Sequence, residues 1–394
     1  MIEPARHVPL DATPWDEGVA VAAIEEIVSD ALAHFEQERF WPAHPSDDTK
    51  DGNSTPYLGA AGMIWGLDYL KRVGATNAAI DFRPVLARLL DRTQAEMTTY
   101  GDYSTTGSLL LGDLGTALVV MRLAPTQMMA DLIHARAEAN SRLPVRELMW
   151  GIPGSMLACI HMADMTGEPR WPALFAVQAE RLLGDLEETA GGPMWTQDLG
   201  GNKRRWLGPV HGFAGNMIPL IRGWKWLADD QRERIADVAT RALIANARHS
   251  DLGATWHAFI RDDRLPYLCQ HCHGSPGMVT TFADSPFTSP ELEGLLVDGG
   301  HFTWAAGPLA KGSNLCHGTG GNGYAFLKLH RRTGKPMWLE RARAFAMTAI
   351  DQCRDERRAV GRGRYTLWTG DIGLAAFLWD CAAVQPRFPT VDVF

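Results

Sequence analysis

The chain has 394 residues and a formal charge of −8, from 38 Lys and Arg against 46 Asp and Glu. With 46% hydrophobic and 21% charged residues its composition is that of a globular protein, which excludes a disordered or fibrous chain. The acidic balance, with no basic run longer than three residues, excludes a nucleic-acid binder that relies on phosphate neutralisation.

Met1 to Trp15 carries no charged-then-apolar leader, and no stretch approaches the roughly 18 apolar residues that span a bilayer, so a soluble, cytoplasmic protein is expected. Beyond this N-terminal arm, about residues 1–16, Val21, Ile24, Val28, Ala31 and Phe35 recur at spacings of three and four, with Glu25, Asp30 and Glu36 on the other face. That pattern predicts an amphipathic helix resting on a core. A Gly-x-x-Gly pair follows at Gly59 and Gly62, and the alternation then repeats. Polar-faced helices are predicted near 79–97, 128–142, 171–188, 228–247 and 336–353. Further glycine pairs stand at Gly112/Gly115, Gly151/Gly154, Gly212/Gly215, Gly274/Gly277, Gly318/Gly321 and Gly370/Gly373. Each pair precedes a short segment that is apolar on nearly every side, such as Thr116 to Val120 or Met156 to Ile160, and such a helix belongs inside a core. Strand signals are scarce.

An outer helix, a glycine turn and an inner helix, repeated seven times, predict an all-α closed toroid, a double-layered helical barrel, because each hairpin requires neighbours to bury its apolar face. The whole chain, 1–394, is read as one such domain, with the repeats over about 57–381. The turns are expected to supply permissive backbone angles, close packing and free N–H groups at a positive helix end. Equivalent repeats would bring the residues just before each glycine pair to one rim.

In that register the residues immediately before the first glycine are Leu58, Leu111, Trp150, His211, His273, His317 and Thr369. One position further back stand Tyr57, Leu110, Met149, Val210, Cys272, Cys316 and Trp368. Two cysteines and three histidines therefore crowd one arc. Thiolate and imidazole are preferred Zn²⁺ ligands, and three protein ligands with an open fourth position is the catalytic arrangement. Cys269 forms a local Cys-x-x-Cys with Cys272 and is an alternative ligand lying outside the register. His211, with no cysteine beside it, reads as an acid or base near the metal or as a capping histidine packed on Trp206 or Trp224. Glu147, four residues before Gly151, reads as a group that orients a catalytic side chain of the adjacent repeat or as an exposed helix-end carboxylate. The six cysteines are too sparse for a disulfide framework, and Cys159, Cys353 and Cys381 read as core.

The segments His211 to Gly215, Cys272 to Gly277 and Cys316 to Phe326 resemble the motif blocks of lanthionine synthetase C-like proteins. The resemblance implies an α/α toroid with zinc at one mouth, held by Cys272, Cys316 and His317, and His211 as catalytic acid/base. His273, the Tyr324 to Phe326 segment and the ending Arg387 to Pro389 are more similar to the eukaryotic-type branch than to the lantibiotic cyclases. That branch binds glutathione and adds it to dehydroamino acids in proteins or peptides. Lys311 sits where the branch has a glutathione-contacting lysine; Arg364, among Arg358, Arg362 and Arg364, and Arg6 are candidates for further substrate contacts. Glu147 occupies the place of an acidic residue in the cyclases.

Two anionic thiolates lower the Lewis acidity of a zinc ion yet keep a bound substrate sulfur electron-rich, which suits thiol addition better than hydrolysis. The expected reaction is addition of a thiol, glutathione first, to dehydroalanine or dehydrobutyrine, with His211 or His273 protonating the α-carbon. The basic run Lys203 to Arg205 reads either as a contact for carboxylates or as a solvated loop. A cyclase closing lanthionine rings within one peptide is the alternative enzyme, and a zinc-stabilised glutathione- or peptide-binding protein the alternative outside catalysis. A glycan-cleaving toroid would require paired carboxylates at the rim, which the register does not supply.

Overall fold

A computed structural model describes residues 1–10, 13–47, 52–99, 107–199, 201–260 and 267–394. Among them fourteen α-helices alternate between an outer and an inner layer. The outer helices are α1 (Glu17–Ala33), α3 (Leu86–Met97), α5 (Gln127–Asn140), α7 (Arg170–Gly184), α9 (Asp229–Asn246), α11 (Pro290–Ala306) and α13 (Pro336–Val360). The inner helices are α2 (Ala60–Arg72), α4 (Asp113–Leu123), α6 (Ile152–Thr166), α8 (Phe213–Arg222), α10 (Ser275–Phe282), α12 (Thr319–Thr333) and α14 (Asp371–Ala383). Each inner helix packs on the next, and α14 returns to α2 while α1 packs on α14, so the ring closes as an α/α toroid.

The outer helix α11 escapes the periodicity reading because its buried stripe of Leu292, Leu295, Leu296, Phe302 and Ala306 passes through Gly299 and Gly300. The glycines are there for space: a Cβ at Gly300 would lie 2.8 Å from the Trp338 ring, and one at Gly299 2.8 Å from Val279. Three two-stranded hairpins, β1–β2 (Glu187–Thr189 with Gly192–Met194), β3–β4 (Gln197–Leu199 with Asn202–Arg204) and β5–β6 (Ala247–Ser250 with Gly253–Trp256), fill the connections before α8 and α10. They account for the long spacing of the glycine pairs there.

Outer helices begin conventionally: Asp16, Thr126 and Ser289 cap α1, α5 and α11 by accepting from Val19, Met129 and Leu292 N–H groups. Inner helices begin differently. The first glycine of every pair is the N-cap residue, and a loop wraps over the helix start. The first-turn N–H groups donate to carbonyls seven residues back, as in Ala60→Asn53, Ile152→Val145, Phe213→Trp206, Thr319→Gly312 and Asp371→Arg364. These N–H groups are therefore occupied by the chain itself, contrary to the expectation that they stand free for an anion. Permissive angles are also not the general reason for the glycines, since only Gly274 among the seven N-caps has a positive φ, at 104°.

Close packing is the reason. The second glycine of each pair sits against its own loop and against the preceding repeat, so that a Cβ would meet Leu367 from Gly62 at 2.8 Å, Pro56 from Gly115 at 2.8 Å and Leu109 from Gly154 at 2.9 Å. The same relation continues through Leu148 and Gly215 at 3.3 Å, Pro209 and Gly277 at 2.6 Å, His271 and Gly321 at 3.1 Å, and Leu315 and Gly373 at 2.7 Å. Backbone hydrogen bonds follow the same circuit: Trp368→Tyr57 (3.3 Å), Tyr57→Leu110 (2.9 Å), Leu110→Met149 (3.4 Å), Leu148→Val210 (3.2 Å), Cys272→Cys316 (3.0 Å) and Cys316→Trp368 (2.9 Å). Between the fourth and fifth repeats Gly208 packs directly on the Cys272 carbonyl.

Beyond α14 the chain turns back into the lumen. Phe388 stacks on His271 (4.3 Å between rings), Thr390 receives a hydrogen bond from the Trp368 indole (3.2 Å) and Phe394 packs near Trp65. Asp392 ion-pairs with Arg222 (3.0 Å) and with Lys328, which also holds Asp284. Arg222 and Lys328 lie in the C-terminal halves of α8 and α12, so the tail enters the lumen from that end. Among the described residues no helix is long and apolar enough to cross a membrane.

The two kinds of glycine predict opposite responses to substitution. Gly115→Ala drives a methyl group into Pro56 and the Leu109 carbonyl and is expected to cost about 1–3 kcal/mol. Gly294, exposed in α11 with open space around it, should gain about 0.5–1 kcal/mol on Gly294→Ala. Urea midpoints of both variants check this; shifts of the same sign would remove the packing argument.

Candidate metal centre

The rim register brings its chemistry together. Cys272 lies in the loop before α10, and Cys316 and His317 in the loop before α12. Their ligand atoms all lie within 4.8 Å of one another, the one such cluster of His, Cys, Asp and Glu among the described residues. The Cys272→Cys316 backbone bond holds the two loops edge to edge, and Asn314 Oδ1 accepts from the His317 backbone N–H at 3.0 Å, fixing the turn that presents the imidazole. Both sulfurs are nearly inaccessible, at 6% and 4% residue exposure, while His317 is half-buried.

Two sulfurs and one imidazole nitrogen in a closed cluster, with no carboxylate among them, is the donor set of a borderline-soft, tetrahedral ion, and zinc fits it. The electrostatics of the sulfurs agree. The hydrogen bond from Cys316, together with those from His317 and Gln270, holds the Cys272 thiol well below the ordinary thiol range despite burial. As donor of that bond, Cys316 is pushed well above it. Cys269 stands apart: it is 3% exposed, sits 3.7 Å from the Ser275 hydroxyl, and burial pushes its thiol up to about 12. The alternative Cys-x-x-Cys ligand arrangement is thus not assembled, because the loop turns Cys269 toward α11 and away from the cluster. Burial likewise raises Cys159, Cys353 and Cys381, which are core.

His211 precedes α8 on the neighbouring arc, with about 32% of its side chain exposed. Its Nδ1 is 2.9 Å from Glu147 Oε2, and Glu147 is completely buried, so the reading of an exposed helix-end carboxylate is set aside. The Glu147 carboxylate also accepts from the Met149 N–H (3.2 Å) and the Trp150 N–H, which fix it as an anchor for the ring. Burial pulls the His211 pKa down, but the Glu147 hydrogen bond and charge, with the Cys272 thiolate, outweigh it and leave the pKa raised above 6.5. His273 has the opposite bias. Burial lowers its pKa against the pull of Cys272, and its ring lies 5.4 Å from Trp206, the tryptophan considered above as a partner of His211. Trp224 packs on Phe287 instead. Two imidazoles on one rim are therefore biased apart, His211 toward the cation and His273 toward the neutral form.

The basic candidates divide. Lys311 is exposed, and its ammonium lies close enough to Cys316 to stabilise its thiolate. The N-terminal arm runs beside that loop: Arg6 C=O accepts from Ala310 N–H at 2.9 Å, and the Arg6 guanidinium pairs with Glu3 at 2.7 Å. Arg364 is largely buried against Asp47 at 2.8 Å, yet its charge reaches the Tyr57 hydroxyl. Arg362 donates to the Ala43 carbonyl, and Arg358 is not in the loop at all but at the exposed end of α13, paired with Asp355. Lys203 and Arg205 pair with Asp198 (3.6 Å) and Glu187 (2.6 Å), and Arg204 lies over Trp206 and Phe259. The structure also assembles two residues that were not singled out: Tyr57, which occupies the same register position as the cysteines, and Gln270, two residues before Cys272.

Residues 50–393 match the lanthionine synthetase C-like protein family. The chain belongs to that family. A glutathione S-transferase LANCL1 from Danio rerio is 34% identical over 308 residues, covering 73% of this chain and 74% of that protein. The LanC-like protein GCL1 from Arabidopsis thaliana is 32% identical over 136 residues, 32% of this chain and 30% of that protein. Both relatives place this lanthionine synthetase C-like chain in the eukaryotic-type branch. Among solved structures, nisin cyclase superposes with a TM-score of 0.56 at 15% identity, covering 93% of this chain and 98% of that one, a likeness of fold.

The His211–Glu147 contact makes a spectroscopic prediction. Glu147→Gln keeps the size of the side chain and removes its charge, so the His211 imidazole should titrate at lower pH than in the parent protein, followed by NMR of its ring protons. An unmoved or raised midpoint would show that Glu147 does not bias the ring.

Proposed function

We propose that this LanC-like protein is a zinc-dependent transferase that adds glutathione to dehydroalanine or dehydrobutyrine residues in peptides or proteins, forming a thioether. The observation that carries this reading is the cluster of Cys272, Cys316 and His317 within 4.8 Å, facing the same rim as a carboxylate-backed His211. The name of the Danio rerio relative, a glutathione S-transferase, supports the choice of thiol.

Cys272, Cys316 and His317 would hold a zinc ion, which when bound supplies a position where a thiol is deprotonated and stays nucleophilic at neutral pH. In this reading Lys311, an exposed lysine of the loop before Cys316, holds a glutathione carboxylate, with Arg6 on the adjacent arm and the more deeply buried Arg364 as further contacts. The substrate thiol releases its proton to solvent, its sulfur forms a bond to the β-carbon of the dehydroamino acid, and the double-bond electron pair moves to the α-carbon and its carbonyl. His211 then gives a proton to the α-carbon from Nε2, the nitrogen not engaged by Glu147; solvent later returns a proton to His211, so the net reaction adds S–H across the double bond. Glu147 orients the ring and stabilises its cationic form, so the acid is present at neutral pH. His273, biased toward the neutral form, is the weaker donor of the two and serves better as a rim contact.

The sign of the pH response follows. A step that requires protonated His211 is full below its raised pKa and is lost as pH rises through it, and Glu147→Gln should shift that limb to lower pH. In a mass-spectrometric assay with glutathione and a dehydroalanine peptide, Cys316→Ala should abolish adduct formation and His211→Asn should lower kcat by about 10²–10⁴. Lys311→Ala is expected to act mainly on KM for glutathione. By elemental analysis, Cys272→Ala should lose zinc and Cys269→Ala should keep it. Equal adduct yield from the wild type and Cys316→Ala would overturn the proposed chemistry.

A further inference from the structure

The two cysteines of the cluster do not stand alone in their pocket. Gln270 Nε2 lies 3.0 Å from Cys272 Sγ and donates to it. Gln270 is 7% exposed, and its backbone is clasped to His273 in both directions, N–H to C=O, at 3.0 Å each way, so its side chain issues from a closed turn. Beside the other sulfur stands the Tyr57 hydroxyl, within reach of Cys316. Tyr57 comes from the first repeat, its ring stacked on Trp368 at 5.5 Å, and the rim circuit passes through its backbone on both sides, to Leu110 and from Trp368. Apart from the other members of the cluster, each sulfur thus has one neutral donor, and each donor is held by contacts independent of the sulfur it serves.

A hydrogen bond to a buried thiolate withdraws charge from the sulfur, and the effect is large where water does not compete. A cation in the same place would do so too, but it would also change the net charge of the site. We infer that Gln270 and Tyr57 are positioning residues that set the charge density on the two sulfur ligands, one neutral donor per sulfur, and thereby the strength with which the site holds its metal. This inference rests on the zinc reading above and adds that the donor strength of the cysteines is adjusted from outside the ligand set. Outer partners of metal ligands are commonly worth 10–100-fold in affinity.

The test uses the full-length protein reconstituted with Co²⁺, whose sulfur-to-metal charge-transfer band reports the electron density on the sulfurs. Tyr57→Phe removes one hydroxyl and keeps the ring on Trp368, Gln270→Leu removes the amide donor, and Gln270→Glu replaces the donor by an acceptor of the same size. With folding checked by circular dichroism, the band should move to longer wavelength in Tyr57→Phe and Gln270→Leu, and further in Gln270→Glu. Zinc affinity by chelator competition should change by about tenfold or more in each, in the same order as the band. A purely structural role would not order the isosteric Gln270→Glu beyond Gln270→Leu. Band positions superimposable on the wild type in Tyr57→Phe and in either Gln270 variant would overturn the inference while leaving the metal site standing. Absence of any charge-transfer band in the wild-type protein would overturn the zinc reading itself and this inference with it.

Discussion

The rim depends on the close approach of backbone to backbone. At each inner helix the second glycine of the pair lets the helix start lie directly on the loop carbonyl of its own repeat and on the corresponding residue of the repeat before. That proximity allows the loop just ahead of each helix to hydrogen-bond to the next, and the bonds run around the toroid from Trp368 through Tyr57, Leu110 and onward to Cys316. Buried backbone groups must find partners, and here the partners are the neighbouring repeats. The cluster of Cys272, Cys316 and His317 is one segment of this circuit: the Cys272 N–H to Cys316 C=O bond is both a structural link and the device that brings the two thiols together.

Given that frame, the chemistry of the site comes from small differences between equivalent positions. His211 and His273 occupy the same place in successive repeats, yet one is raised in pKa and the other lowered. The cause is a single carboxylate: Glu147 reaches His211 from the preceding repeat, while His273 lies against Trp206. Paired titratable groups whose surroundings push them apart divide the acid and base roles between them. The same logic separates the cysteines, since Cys269 is as buried as Cys272 but has only hydroxyl partners, and its proton is held accordingly.

The opposite end of the toroid solves a different problem. A closed ring of helices leaves a lumen, and the C-terminal tail fills it with Phe388, Thr390 and Phe394. The fill is not purely apolar: Lys328 and Arg222 are balanced there by Asp284 and Asp392, a buried group of charges that is tolerable because each has an opposite partner in contact. Phe388, stacked on His271, links this plug to the underside of the loop that carries Gln270 and Cys272.

Much of this was legible from the chain alone. Glycine pairs at a recurring interval, apolar inner segments and amphipathic outer ones determined the toroid, because those patterns report burial, and burial is what a sequence encodes most directly. The register of Cys272, Cys316, His211, His273 and His317 was likewise readable, since equivalent positions in repeats must share a rim. The outer helix α11 was lost because its buried stripe runs through Gly299 and Gly300. Of the three roles expected of the glycines only close packing holds generally, because a residue without a side chain looks the same in sequence whether it serves φ or space, and only the neighbouring carbonyl distinguishes them. Tertiary structure alone decided that Glu147 is buried beneath His211, that Cys269 turns away, and that Tyr57 and Gln270 point their donors at the two sulfurs. Those are contacts between side chains far apart in sequence or turned by local backbone geometry, and no spacing rule carries that information.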